Sequence, residues 1–130
     1  MAEPYVAIQV MMMPADVNPQ GTIFGGVILS YIDQAGAIGA RREVVLAGGK
    51  LPILLTVAIN RVEFRKPVLV GDVVRFLTRL IRIGKTSITM HVDVEVEREG
   101  NILHVTEAEL VYVGVDPGSV DRRPVALVGP

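Results

Sequence analysis

The sequence contains no cysteine and no tryptophan. Without cysteine there is no disulfide, no thiolate nucleophile and no cysteine-ligated metal. Aromatic residues make up only 5% of the chain, and 13 basic residues face 14 acidic ones for a formal charge of −1. Nucleic-acid binding, which needs a basic excess and stacking surfaces, is not expected. Histidine is also scarce. His91 and His104 are the two present, both in strand-like segments, and His91 is expected to be exposed on the polar face of its strand. With so few ligands no metal site is expected, and no motif supports a Ser-His-Asp triad. Long apolar runs are missing too. The best, Ile23 to Ala40, is broken by Ser30, Asp33 and Gln34, whereas a spanning helix needs ~20 apolar residues. No membrane insertion is expected. The opening Met-Ala-Glu-Pro has neither a basic flank nor an apolar block, so the expected location is cytoplasmic.

What is present is hydrophobic. Half of the 130 residues are apolar and mean hydropathy is +0.45. Length implies a single domain over residues 1–130, with a tail from about residue 116. Small domains have much surface for their volume, so an apolar excess suggests that another subunit covers part of it.

Strand-like and helix-like periods alternate along the chain. Tyr5 to Met13 reads as a strand, ended by Pro14, and Pro14 to Gly21 is dense in turn formers. From about Phe24 to Glu43 the period becomes helical, with Ile28, Leu29, Ile32, Ala35, Ile38 and Gly39 on the expected buried face. Gly48-Gly49 breaks it, followed by Leu51-Pro52. Four strands then follow: Leu54 to Phe64, Val73 to Ile83, Thr86 to Glu97 and Ile102 to Val115. In the third, Ile88, Met90, Val92, Val94 and Val96 alternate with polar residues, the pattern of a half-buried antiparallel strand. Consecutive hairpin-like strands exclude a parallel βαβ sheet, so the helix must pack on one face of an antiparallel sheet. Its glycines at 36 and 39 lower helix propensity by about 1 kcal/mol each relative to alanine. They fit a buried central helix whose backbone lies close to a neighbour.

At this point the sequence resembles the hotdog-fold acyl-CoA thioesterases, specifically the short bacterial single-domain branch. The likeness is carried by Met13-Pro14-Ala-Asp-Val-Asn18-Pro-Gln-Gly21-Thr-Ile-Phe24-Gly25-Gly26, by Asp33-Gln-Ala-Gly36, by Phe64-Arg-Lys-Pro67-Val-Leu-Val-Gly71-Asp72 and by Thr106-Glu-Ala108. It spans nearly the whole chain. It implies an α+β hotdog fold, a long central helix wrapped by a five-stranded antiparallel sheet, and an enzyme that hydrolyses acyl-CoA to free CoA and a carboxylic acid. Within that resemblance Val27 stands where this branch often carries tryptophan, and Asn60 where relatives often have an acidic residue.

Thioester hydrolysis needs a group that activates water or attacks the carbonyl, and donors for the oxyanion. Asp33, mid-helix among Leu29, Ile32, Gly36 and Ala37, is a carboxylate that folding would desolvate; the alternative is a side chain turned to solvent or to a buried partner. The resemblance makes it general base or nucleophile. Gly25 and Gly26 open the helix, where amides are unpaired and carry the positive end of the dipole. By themselves they need only start the helix; the resemblance gives the Gly25 amide the thioester carbonyl. Asn18 precedes proline, a turn-forming pair, while the matching family asparagine helps hold the carbonyl or the water. Thr56 matches a hydroxyl that supports the water beside the acid, against the alternative of a locally bonded strand threonine.

Spacing adds an argument about assembly. Gly25 and Asp33 are eight residues apart, ~12 Å of rise on one helix, yet both must reach one carbonyl. Two antiparallel copies about a two-fold satisfy this, so at least a homodimer with shared sites is expected, and similar proteins extend it to a trimer of dimers, a hexamer. CoA enters as part of substrate and product, with no other cofactor. Arg65, Lys66 and the turn Lys85-Thr86-Ser87 are candidates for its phosphates, with Arg122 and Arg123 behind them. Hotdog hydratases use a histidine paired with an acid, and none lies near this helix. The reading of another class is a non-catalytic acyl-CoA-binding or sensing module.

Overall fold

The computed structural model describes residues 3–50 and 53–128; the expected break at Leu51-Pro52 lies outside them. Strand β1 (Tyr5–Met11) leads through a short 3-10 turn at Pro14–Asp16 into helix α1 (Gly25–Leu46). β2 (Ile53–Asn60), β3 (Val73–Ile83), β4 (Ser87–Arg98) and β5 (Asn101–Val115) follow. All five strands form one antiparallel sheet in the order β1-β3-β4-β5-β2. A single long helix against an antiparallel sheet is the α+β arrangement expected.

One topological expectation needs correcting. β2 does not hairpin onto β3; it crosses the sheet and pairs with β5, so only β3, β4 and β5 run as a meander. The connector between β2 and β3, residues 61–72, is far longer than the few residues of a hairpin loop. It has its own internal ties. Gly71 adopts φ +87°, the Leu69 amide donates to Asp72 Oδ2 at 2.8 Å, and Arg98 donates to the Pro67 carbonyl at 2.7 Å and to Asp72. The Val68 carbonyl then accepts the Ile23 amide at 2.8 Å. This fixes residues 64–68 beside the start of α1.

β4 is the central strand and the alternation along it holds. Ile88, Met90, Val92, Val94 and Val96 are wholly buried toward the helix. Its other face is less wet than the pattern implies. His91, expected to be exposed, is only 9% accessible. The reason is position: register sets it between Arg79 on β3 and Glu109 on β5, and long side chains on a middle strand shelter one another.

Helix α1 buries Ile28, Ile32, Ala35, Gly36, Gly39, Ala40 and Val44. Leu29 and Ile38, assigned to that stripe from spacing, are instead 36% and 40% exposed; they flank it. The two mid-helix glycines are explained by proximity. A Cβ at Gly36 would run into the Tyr112 hydroxyl, and one at Gly39 would sit 2.7 Å from Thr78 Cβ. Backbone lies directly on sheet side chains there.

Candidate active site

Asp33 is half-buried on α1, on the turn before Gly36. Its Oδ1 accepts a 2.7 Å hydrogen bond from Thr56 Oγ1 on β2. Tyr112 on β5 donates to the Asp33 carbonyl at 2.7 Å and lies 3.3 Å from the same Oδ1. Burial, then the charge and hydrogen bond of Asp33, push the Tyr112 hydroxyl well above a tyrosine's ordinary pKa, so it keeps its proton and acts as a donor. Asp33 Oδ2 carries no hydrogen bond among the described residues. The carboxylate is thus held through one oxygen and presents the other.

A second group of candidates gathers at the start of α1. The amides of Gly25 and Gly26 have no acceptor among the described residues, and Phe24 supplies no side-chain cap. Two helix-terminal donors are available for an oxygen. Gly25 lines a cleft of about 330 Å³ with Thr22, Ile28 and Phe64, and with Arg65 and Lys66 at its side. The Phe64 ring comes within 3.4 Å of where a Gly25 Cβ would stand, so glycine keeps the amide approachable. Asn18 adjoins this cleft through Thr22: its Nδ2 donates to Thr22 Oγ1 at 2.8 Å, while its Oδ1 accepts the amides of Gln20 and Thr22 at 2.9 and 3.1 Å. Within one protomer Asn18 therefore bonds its own loop, as an Asn-Pro turn does.

The turn Lys85-Thr86-Ser87 is elsewhere. Ser87 pairs with Val113 and Ile88 with Tyr112, which sets the turn at the Asp33 end of the sheet. Arg65, whose amide bonds the Val105 carbonyl at 2.9 Å, marks the other end. Seven residues of β5, roughly 23 Å, separate Val105 from Tyr112. One protomer thus assembles Asp33 with Thr56, and Gly25 with Arg65 and Lys66, but does not bring these two groups together. Arg122 and Arg123 are exposed on the tail, which folds back so that the Leu127 amide bonds the Lys85 carbonyl at 3.0 Å.

Two neighbours of the site escape a sequence reading. Tyr112 sits among the apolar residues of β5 and reads as core. The signal that points to it is Gly36, whose missing side chain makes room for its hydroxyl. Phe64 reads as the end of a strand, although it belongs to the connector after β2.

Residues 20–103 match the model of the thioesterase superfamily. The chain belongs to that superfamily. It is 37% identical over 129 residues to the acyl-CoA thioester hydrolase YciA of Salmonella typhimurium, covering 95% of this chain and 92% of that one. Among solved structures it is similar to a hexameric thioesterase of Yersinia pestis, with a TM-score of 0.83, 36% identity and full coverage of both chains. A hexameric hotdog-fold thioesterase of Campylobacter jejuni matches with a TM-score of 0.77 and 33% identity, covering 94% of this chain and 90% of that one. The helix-and-sheet arrangement described above is the hotdog fold. Among the described residues no helix is long and apolar enough to cross a membrane.

Proposed function

We propose that this thioesterase-superfamily chain hydrolyses acyl-CoA thioesters in the cytoplasm, through sites shared between two copies of itself. The observation that carries the reading is the Asp33 carboxylate, fixed on one oxygen by Thr56 and free on the other. Asp33 Oδ2 removes a proton from water as it adds to the thioester carbon, or attacks that carbon itself to give an anhydride that water then cleaves. Either way the carbon–sulfur bond breaks and CoA leaves as its thiol. The oxyanion is stabilised by the amides of Gly25 and Gly26 of the second copy, with Asn18 positioning the loop beside them. Arg65, Lys66 and the Lys85-Thr86-Ser87 turn supply contacts for CoA. No additional cofactor takes part.

Pairing of copies follows from the separation of the two residue groups. β2 is an edge strand, and its Ile53, Leu55 and Val57 are 38%, 39% and 57% exposed. An apolar unpaired edge beside Asp33 and Thr56 is suited to a second β2 about a two-fold axis. The hexameric relatives support further association into a trimer of dimers. A carboxylate held by hydroxyls, which pairing would bring to open amides of the second copy, favours turnover over mere binding of acyl-CoA.

Thiol release from acyl-CoA decides the matter. The wild-type chain should release CoA thiol, and Asp33→Asn should lower the rate by roughly 10²–10⁴-fold while the pairing of chains stays intact. A wild-type protein that binds acyl-CoA without releasing thiol is a binding module, and an Asp33→Asn variant of full activity removes Asp33 from the chemistry.

A further inference from the structure

On the face of the sheet away from α1, three chemistry-bearing side chains converge that the thioesterase reading does not use. His91 Nε2 lies 3.1 Å from Asp93 Oδ1 and 3.1 Å from Glu107 Oε2. All three ligand atoms fall within 4.8 Å of one another. We infer that His91, Asp93 and Glu107 form a binding site for a divalent metal ion of the zinc class.

The spacing is the first argument. Zinc bonds nitrogen and oxygen at ~2.0–2.1 Å, and in a tetrahedral shell this sets ligand atoms about 3.3 Å apart. The two separations at His91 match that edge length. Charge is the second. One imidazole nitrogen faces two carboxylate oxygens, Asp93 Oδ1 and Glu107 Oε2, and a single N–H cannot be directed fully at both. A cation at their centre meets all three. One imidazole with two carboxylates suits a borderline ion, water completing the shell.

The surroundings leave those atoms available. Arg65 binds Glu107 through Oε1 at 3.2 Å, so Oε2 remains for the ion. A guanidinium only donates, so His104 Nδ1, 3.3 Å from Arg65, is an acceptor and the His104 proton sits on Nε2. That nitrogen faces Asp93 Oδ1 at 3.4 Å and orients the carboxylate rather than binding metal, the supporting role usual around metal ligands. Arg79 and Glu109 flank His91 in register and oppose each other in charge. A cleft of about 410 Å³, lined by Asn60, Arg61, His91, Glu107 and Glu109 among others, opens onto the site. It gives an ion a path from solvent and room for its waters. The scarcity of histidine in the sequence concealed this: the ligands are contributed by two adjacent strands, with no spacing motif to betray them.

The test is zinc binding by titration calorimetry on chelator-treated, dialysed protein. Wild type should bind one zinc ion per chain, and His91→Gln and Glu107→Gln should each weaken that affinity at least tenfold. Magnesium at the same concentration should not compete, because it gains little from an imidazole. His91→Gln should hydrolyse acyl-CoA at the wild-type rate, so loss of this site and loss of the thioesterase reading are separately visible. Circular dichroism identifies a variant that fails to fold, in which case the other variant decides. Absence of zinc uptake by the wild type, undiminished uptake by a folded variant, or equal competition by magnesium would each overturn the assignment.

Discussion

The Thr56 hydroxyl donates to Asp33 Oδ1 across 2.7 Å, from an exposed position on edge strand β2 to a carboxylate on α1. A hydrogen bond to a charged group contributes about 1.5–3 kcal/mol. Thr56→Val keeps the shape and removes the donor. If Asp33 must be held in one rotamer, thiol release should fall roughly 10–100-fold in kcat, with KM for acyl-CoA little changed. Equal kinetics in the two proteins would make Thr56 a local strand threonine.

Gly36 meets Tyr112 so closely that a methyl group has no room. Gly36→Ala must push the helix off the sheet or displace the Tyr112 hydroxyl from the Asp33 carbonyl. Overpacking of this kind costs about 1–3 kcal/mol, and it outweighs the ~1 kcal/mol gained from replacing glycine in a helix. Thermal unfolding should therefore show a lowered midpoint, accompanied by reduced thiol release. A midpoint at or above that of the wild type would show that the helix has slack at this point.

The Asp72–Arg98 pair makes stability depend on pH. Burial acts to raise the Asp72 carboxyl, but the hydrogen bonds from Arg98 and the Leu69 amide, with the charge of Arg98, outweigh it and leave it below its usual value. The unfolded chain therefore binds the proton more readily. The contribution is fully present above the unfolded value of about 4 and is lost as pH falls through the lower folded value. Asp72→Asn should destabilise the protein by about 1–3 kcal/mol near neutral pH, and the difference should shrink in acid. Urea denaturation of both proteins across that range measures it; a difference independent of pH would mean that the charge on Asp72 contributes nothing.

Val57 is 57% exposed on the β2 edge. Lysine there leaves the protomer's own packing untouched, since surface changes are usually within about 0.5 kcal/mol, but it charges an edge that another strand would need. Val57→Lys should lower the mass measured by light scattering and abolish thiol release together. A smaller species of full activity would place each site within one chain.

Several features were legible in the sequence because a single local rule governs them. The alternation at Ile88 to Val96 dictates a half-buried strand, and the glycines of α1 indicate a close backbone approach. Asp33 stands out as a carboxylate in an apolar helix. What escaped depends on contacts distant in the chain. Pairing of β2 with β5 places Thr56 and Tyr112 directly opposite each other in the ladder, and nothing near residue 112 advertises this. Leu29 and Ile38 satisfy helical spacing, yet the buried stripe is narrower than the apolar one. His91 is sheltered by side chains from other strands, which period-two counting cannot register.

The helix rests on Tyr112 and Thr78 at positions where it has no side chains of its own. Rotating or sliding it by even a fraction of a turn would swing neighbouring side chains into those contacts. A lineage of such proteins could therefore not retune its substrate range by shifting Asp33, the carboxylate proposed to react. Diversification would have to occur at the two ends of the rod, in loops and edges that tolerate change.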